Sequence, residues 1–170
     1  MRGKLKKLVV HFTVGLGMIS LAPTPLLADG ILTEKQISLP LAQEAAMAAL
    51  DQCRKDSYKV TVAVVDRAGQ VKVILRDDGT GPHTVDTSRR KAYTSLTFRV
   101  STSELAKRLA NNPAAANLKD VNDVIVLGGG LPILSGGEII GALGVGGAPG
   151  GDKDEVCAQA GINKIAEKLK

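Results

Sequence analysis

Outside the first 28 residues the chain has a single histidine, His83, on the turn Gly79-Thr-Gly-Pro-His83. The turn leads straight into Asp86, Arg89, Arg90 and Lys91. An imidazole titrates near neutrality, so it can act as a general acid–base or, when neutral, as a metal ligand. Haem iron needs as little as one protein ligand, which a histidine on a glycine-flanked turn can reach. Arg89, Arg90 and Lys91 supply the donors that hold carboxylates such as propionates. Tyr93, about one helical turn further on, is a second possible ligand or hydrogen-bond donor. The same residues also fit a plainer reading. A turn histidine can simply be solvated, and Arg89 and Arg90 lie three and four residues after Asp86, the spacing of helix-surface ion pairs.

Other chemistries fit less well. Zinc sites usually take three or four His, Cys or carboxylate ligands, and here one histidine stands beside two cysteines. Serines are plentiful, but no nucleophile-elbow motif accompanies them. Residues 128–151 hold eleven glycines, yet no Gly-Lys-Ser/Thr ending makes a P-loop. Gly144-Val-Gly146-Gly-Ala-Pro149 breaks the dinucleotide pattern at its last glycine. Gly147-Ala-Pro-Gly-Gly-Asp152 does lead into a helix N-terminus, where an anion could sit. The simpler expectation is that these glycines serve tight turns and close strand–helix packing.

Several elements must position these residues. Ser38 caps a helix with Pro40 in its first turn and Leu41, Ala45, Ala48, Ala49 and Cys53 at helical spacing, after a short helical start at Thr33–Gln36. Val60–Asp66 and Val71–Arg76 form a hairpin. A helix follows the organising turn, with Thr84 as cap and Val85, Ala92, Leu96 and Val100 as its apolar stripe. Ser101-Thr-Ser-Glu104 opens another short helix through a capping box. Residues 114–120 read as irregular. Val124–Leu127, Leu131–Leu134 and Ile139–Val145 read as strands, the last two joined at Ser135-Gly-Gly137. Asp152-Lys-Asp-Glu155 reads as a capping box before a C-terminal helix reaching Leu169. The outcome is an α+β domain with a five-stranded, mainly antiparallel sheet covered by helices.

Arg2, Lys4, Lys6 and Lys7, an apolar run over 8–22 and Pro23-Thr-Pro-Leu-Leu-Ala28 have the layout of a signal peptide. The domain is then 29–170, exported to the periplasm or the exterior with no stable membrane insertion after cleavage. The full chain has 22 basic and 17 acidic residues, +5. Losing those four basic residues leaves 18 against 17, or +1. With only Tyr58, Tyr93 and Phe98 as aromatics past the leader, neither charge nor stacking supports nucleic-acid binding. Cys53 and Cys157 form a disulfide in an oxidising compartment, or else fill core space as buried thiols.

Several stretches together match one pattern. They are Val60-Thr-Val-Ala-Val-Val-Asp-Arg-Ala-Gly69, Asp78-Gly-Thr-Gly-Pro82, Arg90-Lys-Ala-Tyr-Thr94, Thr102-Ser-Glu-Leu-Ala106, Leu127-Gly-Gly-Gly-Leu-Pro-Ile133 and Gly146-Gly-Ala-Pro-Gly-Gly-Asp-Lys-Asp-Glu155. From about residue 31 onward the chain resembles the GlcG/HbpS family, which includes the C-terminal domain of PduO proteins. The resemblance implies a profilin-like α/β/α sandwich that assembles into homo-oligomers. Its first and last helices would share one face, bringing Cys53 near Cys157. Secreted members resemble haem-binding, haem-sensing or redox-response proteins. Others are linked to glycolate operons, cobalamin-related functions and lyase activity on hydroxylamino-aromatics. The family name therefore constrains fold more than function.

Two positions depart from the family pattern. The Glu-x-x-Glu pair of iron-binding members falls on Asp86 and Arg89. A threonine that contacts haem falls near Val124, which has no ligating atom. His83 is left as the candidate iron ligand of a haem-binding protein, with Arg89, Arg90, Lys91 and Tyr93 around it. The alternative is a small cofactor-independent lyase or isomerase, acting on a hydroxylamino-aromatic or small hydroxy acid with His83 as general acid–base.

Overall fold

The strand β1 (Thr61–Asp66) is buried along its whole length, as its run of β-branched and small residues requires of a central strand. The computed structural model describes residues 30–170; the leader expected at 1–28 lies outside the described residues. β1 pairs antiparallel with β2 (Val71–Arg76) on one side and β4 (Glu138–Gly146) on the other, and β3 (Gly130–Ser135) pairs antiparallel with β4. The strand order is β2-β1-β4-β3.

Alternation along the strands sorts side chains to two faces. Val62, Val64, Leu143 and Val145 join the core formed with α1 (Leu39–Lys55) and α4 (Gly151–Ile165). α1 presents Ala42, Ala45, Ala46, Ala49 and Cys53, and α4 presents Cys157, Ala158 and Gly161. These small residues let the two helices approach closely. A Cβ at Gly161 would lie 2.5 Å from the Ala45 carbonyl oxygen. Cys53 and Cys157 are disulfide-bonded across this contact, with Cα atoms 5.5 Å apart.

α2 (Thr84–Phe98) covers the opposite face, where Ala92 and Leu96 meet Val65 and Ala142. Its buried residues are Thr84, Ser88, Lys91, Ala92, Thr94 and Ser95; of the expected apolar stripe Ala92 and Leu96 pack inward, while Val85 and Val100 are only half-buried and polar residues take the rest of the face. The reason lies in the sheet. A Cβ on Gly144 would sit 2.1 Å from the Ser88 carbonyl oxygen, and one on Gly130 would sit 2.2 Å from that of Lys91. The helix rests on bare strand backbone at these glycines, with the short side chains of Ser88 and Ala92 beside the contact at Gly144. Glycine as a device for close strand–helix packing is thus what the structure shows at these positions.

Other expectations change as well. The sheet has four strands, not five. Asp123 adopts a left-handed conformation (φ 65), and Val124–Leu127 runs as a loop bound to α2. The Ile125 amide donates to Thr94 Oγ1 (2.9 Å) and Arg90 donates to the Val124 carbonyl (2.6 Å). Side chains of α2 thereby replace a neighbouring strand. Residues Thr33–Gln36 are not helical, and Gln36 Nε2 instead donates to Asp66 (2.9 Å). Pro113–Asp120 forms 3-10 turns, and α4 begins at Gly151, with a 3-10 turn over Ala166–Leu169. Half of the box at Ser101 forms: its Oγ accepts from the Glu104 amide at the start of α3 (Thr102–Ala110), while the Glu104 carboxylate accepts from Arg108.

Candidate functional site

The turn before α2 is tied down at both ends. Thr84 is the first helical residue and not the cap; the cap position is His83, without a side-chain cap bond. Thr84 Oγ1 donates to the Gly81 carbonyl (2.7 Å) and meets the buried Thr61 hydroxyl at 2.7 Å. With the Thr84 proton directed to Gly81, Thr61 is the donor in that second bond. These contacts fix the turn against β1 and leave the His83 ring exposed at its tip. The ring lies close over Gly81, where a Cβ would fall 2.8 Å from His83 Cε1.

His83 stands at a cleft of about 300 Å³, lined also by Lys91, Asp154, Gly128, Gly147 and Gly150. Lys91 is not displayed for a ligand's carboxylate in this arrangement. Its Nζ is buried, 2.7 Å from Asp154 Oδ2 and 3.0 Å from the Val145 carbonyl oxygen. Asp154 Oδ1 accepts from the Ala148 amide (3.0 Å). The pair therefore ties α2 to α4 and to the glycine-rich loop. Burial pushes the Asp154 carboxyl above the usual carboxylate range, with the Lys91 ammonium opposing that shift. Gly129 makes room for both groups: a Cβ there would lie 2.7 Å from Asp154 Cβ and 3.1 Å from Lys91 Nζ.

The remaining candidates are dispersed. Arg89 pairs with Asp86 (3.0 Å) and Asp123 (2.6 Å), and these acids raise its pKa further, Asp123 most. Arg90 reaches Val124 and lies 3.7 Å from Asp86. The helix-surface ion pairs allowed by the spacing are therefore present, and the two positions of the family's acidic pair, Asp86 and Arg89, bind each other. Arg90 Nε is buried without a partner among the described residues. Tyr93 lines a separate cleft with Arg67 and Arg99. Sequence reasoning missed Asp154 as a partner of Lys91. Its one signal was position within the first turn of α4, which pointed to capping.

The family model described as "Haem degrading protein HbpS-like" matches residues 37–163. The chain belongs to the GlcG/HbpS family. A crystal structure of a double Glu-to-Asp variant of HbpS from Streptomyces reticuli is 42% identical, with a TM-score of 0.76, covering 84% of this chain and 95% of that one. Protein GlcG of Escherichia coli K12 is 28% identical over 113 residues, 66% of this chain and 83% of GlcG. The crystal structure of a PduOC:heme complex shares the fold, at 24% identity and a TM-score of 0.69 over 76% of this chain and 95% of that one. In this GlcG/HbpS protein the glycine-rich loop and the buried Lys91–Asp154 pair line the same cleft as His83. Among the described residues, no helix is long and apolar enough to cross a membrane.

Proposed function

We propose that this GlcG/HbpS protein is an exported, periplasmic or extracellular haem-binding protein in which His83 ligates the iron. The observation that carries the reading is the exposed His83 ring at the mouth of a glycine-walled cleft, in a chain matched by a haem-related family model. The residues present fit such a group. The walls at Gly128, Gly147 and Gly150 let a flat ligand approach backbone directly, and a volume of about 300 Å³ is at the lower end for ligand sites, so haem would project partly from it. Haem, when bound, supplies iron redox chemistry whose potential depends on ligand and exposure. His83 would hold the iron through a ring nitrogen. Arg89 and Arg90, on the helix that follows, would serve propionates by exchanging their present contacts, while Lys91 stays with Asp154.

Haemin titration of the mature domain tests this directly. Wild type should give a saturable Soret shift, and His83→Ala should weaken binding tenfold or more. An identical Soret response in both proteins would remove His83 from the role. Export rests on the basic-then-apolar N-terminal segment and agrees with a disulfide, which persists in oxidising compartments. N-terminal sequencing of the exported protein should begin near Asp29. Self-association is proposed from the family resemblance, and sedimentation of the mature domain would measure it.

A second reading is favoured by the buried Lys91–Asp154 pair lining the same cleft as His83. In a cofactor-independent lyase or isomerase, His83 would exchange the proton with substrate while the ion pair orients it. Turnover of a hydroxylamino-aromatic or small hydroxy acid, abolished by His83→Ala in a folded protein, would establish it over the haem reading.

A further inference from the structure

We infer that the protein has a second ligand site, for a carboxylate on an apolar, ring-sized body, at the C-terminal end of α2. A cleft of about 760 Å³ opens there, where the β1–β2 turn, the β3–β4 turn and the end of α2 converge. His83 and Arg99 flank the fifteen residues of α2. At about 1.5 Å per residue this places the two clefts roughly 20 Å apart, and they share no lining residue.

The lining defines the ligand. Tyr93, Leu96, Leu134 and Ile139 give apolar walls, with Leu134 45% exposed. An exposed leucine beside an aromatic ring is surface that an apolar ligand would cover. The Tyr93 ring is held against the β1–β2 turn, where a Cβ on Gly69 would lie 2.9 Å from Tyr93 Cε2. Gly69 also has φ 78, so any side chain there would meet both strain and the ring.

The charges around the cleft nearly cancel. Arg67 is paired with Glu34 (3.1 Å) and donates to the Ile139 carbonyl (2.9 Å), and Glu138 is paired with Lys35 (3.3 Å). Arg99 also lines the cleft and makes no ion pair among the described residues. One arginine without an ion-pair partner among the described residues therefore lines the cleft, and its fork geometry matches a carboxylate. Arg99 is also the C-cap of α2 in the left-handed region, φ 59. Glycine or asparagine adopts that conformation at lower cost, so Arg99→Gly removes the side chain without straining the backbone.

A propionate of haem and a small aromatic acid offer the same carboxylate, and the test separates them. Benzoate is titrated into the mature domain by isothermal calorimetry and by amide NMR, beside haemin in the visible spectrum. Benzoate should bind in the millimolar range or tighter, shifting the amides of Gly69, Arg99 and Gly137 but not Gly147, and benzyl alcohol should bind more weakly. Arg99→Gly removes the guanidinium while suiting the left-handed backbone. It should weaken benzoate tenfold or more without lowering the melting temperature, and leave the haemin response unchanged. Arg99→Lys should retain part of the affinity. The inference is overturned if benzoate fails to bind, if Arg99→Gly binds it as wild type does, or if Arg99→Gly weakens haemin and benzoate together. That last result would make the cleft a haem seat.

Discussion

At the scale of single residues, the chemistry of this protein turns on which charged groups are buried. Lys91 and Asp154 have side chains only 6% and 3% exposed. Removing one partner leaves the other charge inside the domain, a cost of about 3–5 kcal/mol. Lys91→Met should therefore unfold at much lower urea, although the replacement is apolar and of similar length. The pH dependence has a definite sign. Asp154 holds its proton more tightly in the folded than in the unfolded state, so its contribution to stability is greatest below its unfolded pKa and declines as pH rises through the raised folded value. The stability gap between wild type and Asp154→Asn should widen on going from pH 7 towards pH 4, measured by urea unfolding. A narrowing gap would mean that Lys91 outweighs burial. Asp77 runs the other way. Arg54 grips it with two hydrogen bonds and lowers its pKa, so its contribution is present above its unfolded pKa and is lost as pH falls through the lower folded value.

The elements explain why those residues sit where they do. α2 lies on strand backbone at Gly130 and Gly144, and this close approach buries Lys91 although its neighbours Arg89 and Arg90 remain half-buried at the surface. Gly144→Ala should lower stability by about 1–3 kcal/mol or more, because its methyl would collide with the Ser88 carbonyl and the Ala92 amide, and neither can rotate away. A thermal melt unchanged from wild type would show that α2 can lift off the sheet freely. Helix starts were partly legible from sequence. Ser101 stands three residues before Glu104, and its hydroxyl accepts from that amide because the contact is local. Ser101→Ala should cost about 1 kcal/mol, measured by chemical unfolding. Asp152-Lys-Asp-Glu155 carries the same kind of signal, but the helix starts at Gly151 and the Glu155 carboxylate accepts from Ser103 Oγ instead of reaching back. A distant partner outcompetes a local cap.

For the whole molecule, the disulfide joins residues 104 apart in sequence and links the helices at the two ends of the described fold. In the chain-entropy model a loop of that length is worth about 4–5 kcal/mol. Cys53→Ser/Cys157→Ser should lower the guanidinium midpoint accordingly while preserving the four-stranded sheet in circular dichroism. A midpoint equal to wild type would mean that packing of α1 against α4 alone sets stability. The two clefts, at opposite ends of α2, also make ligand effects separable, since benzoate and haemin should perturb different amides.

Sequence alone determined what depends on neighbours along the chain: the buried β1, the β1–β2 hairpin, the glycine turn at 136–137, the first helix and the turn that carries His83. These follow from side-chain alternation, capping and left-handed turn positions, which act over a few residues. Motif matching added the family, and with it the approach of Cys53 to Cys157. Only the tertiary structure decided the partner of Lys91, the pairing of Arg89 with Asp123, and the placement of Tyr93 with Arg67 and Arg99 in another cleft. It also decided that Val124–Leu127 binds α2 as a loop instead of adding a fifth strand. Each of these depends on a hydrogen bond or ion pair formed by facing side-chain geometry or, as at Gly144, by how near one backbone comes to another. Neither quantity is encoded in local periodicity.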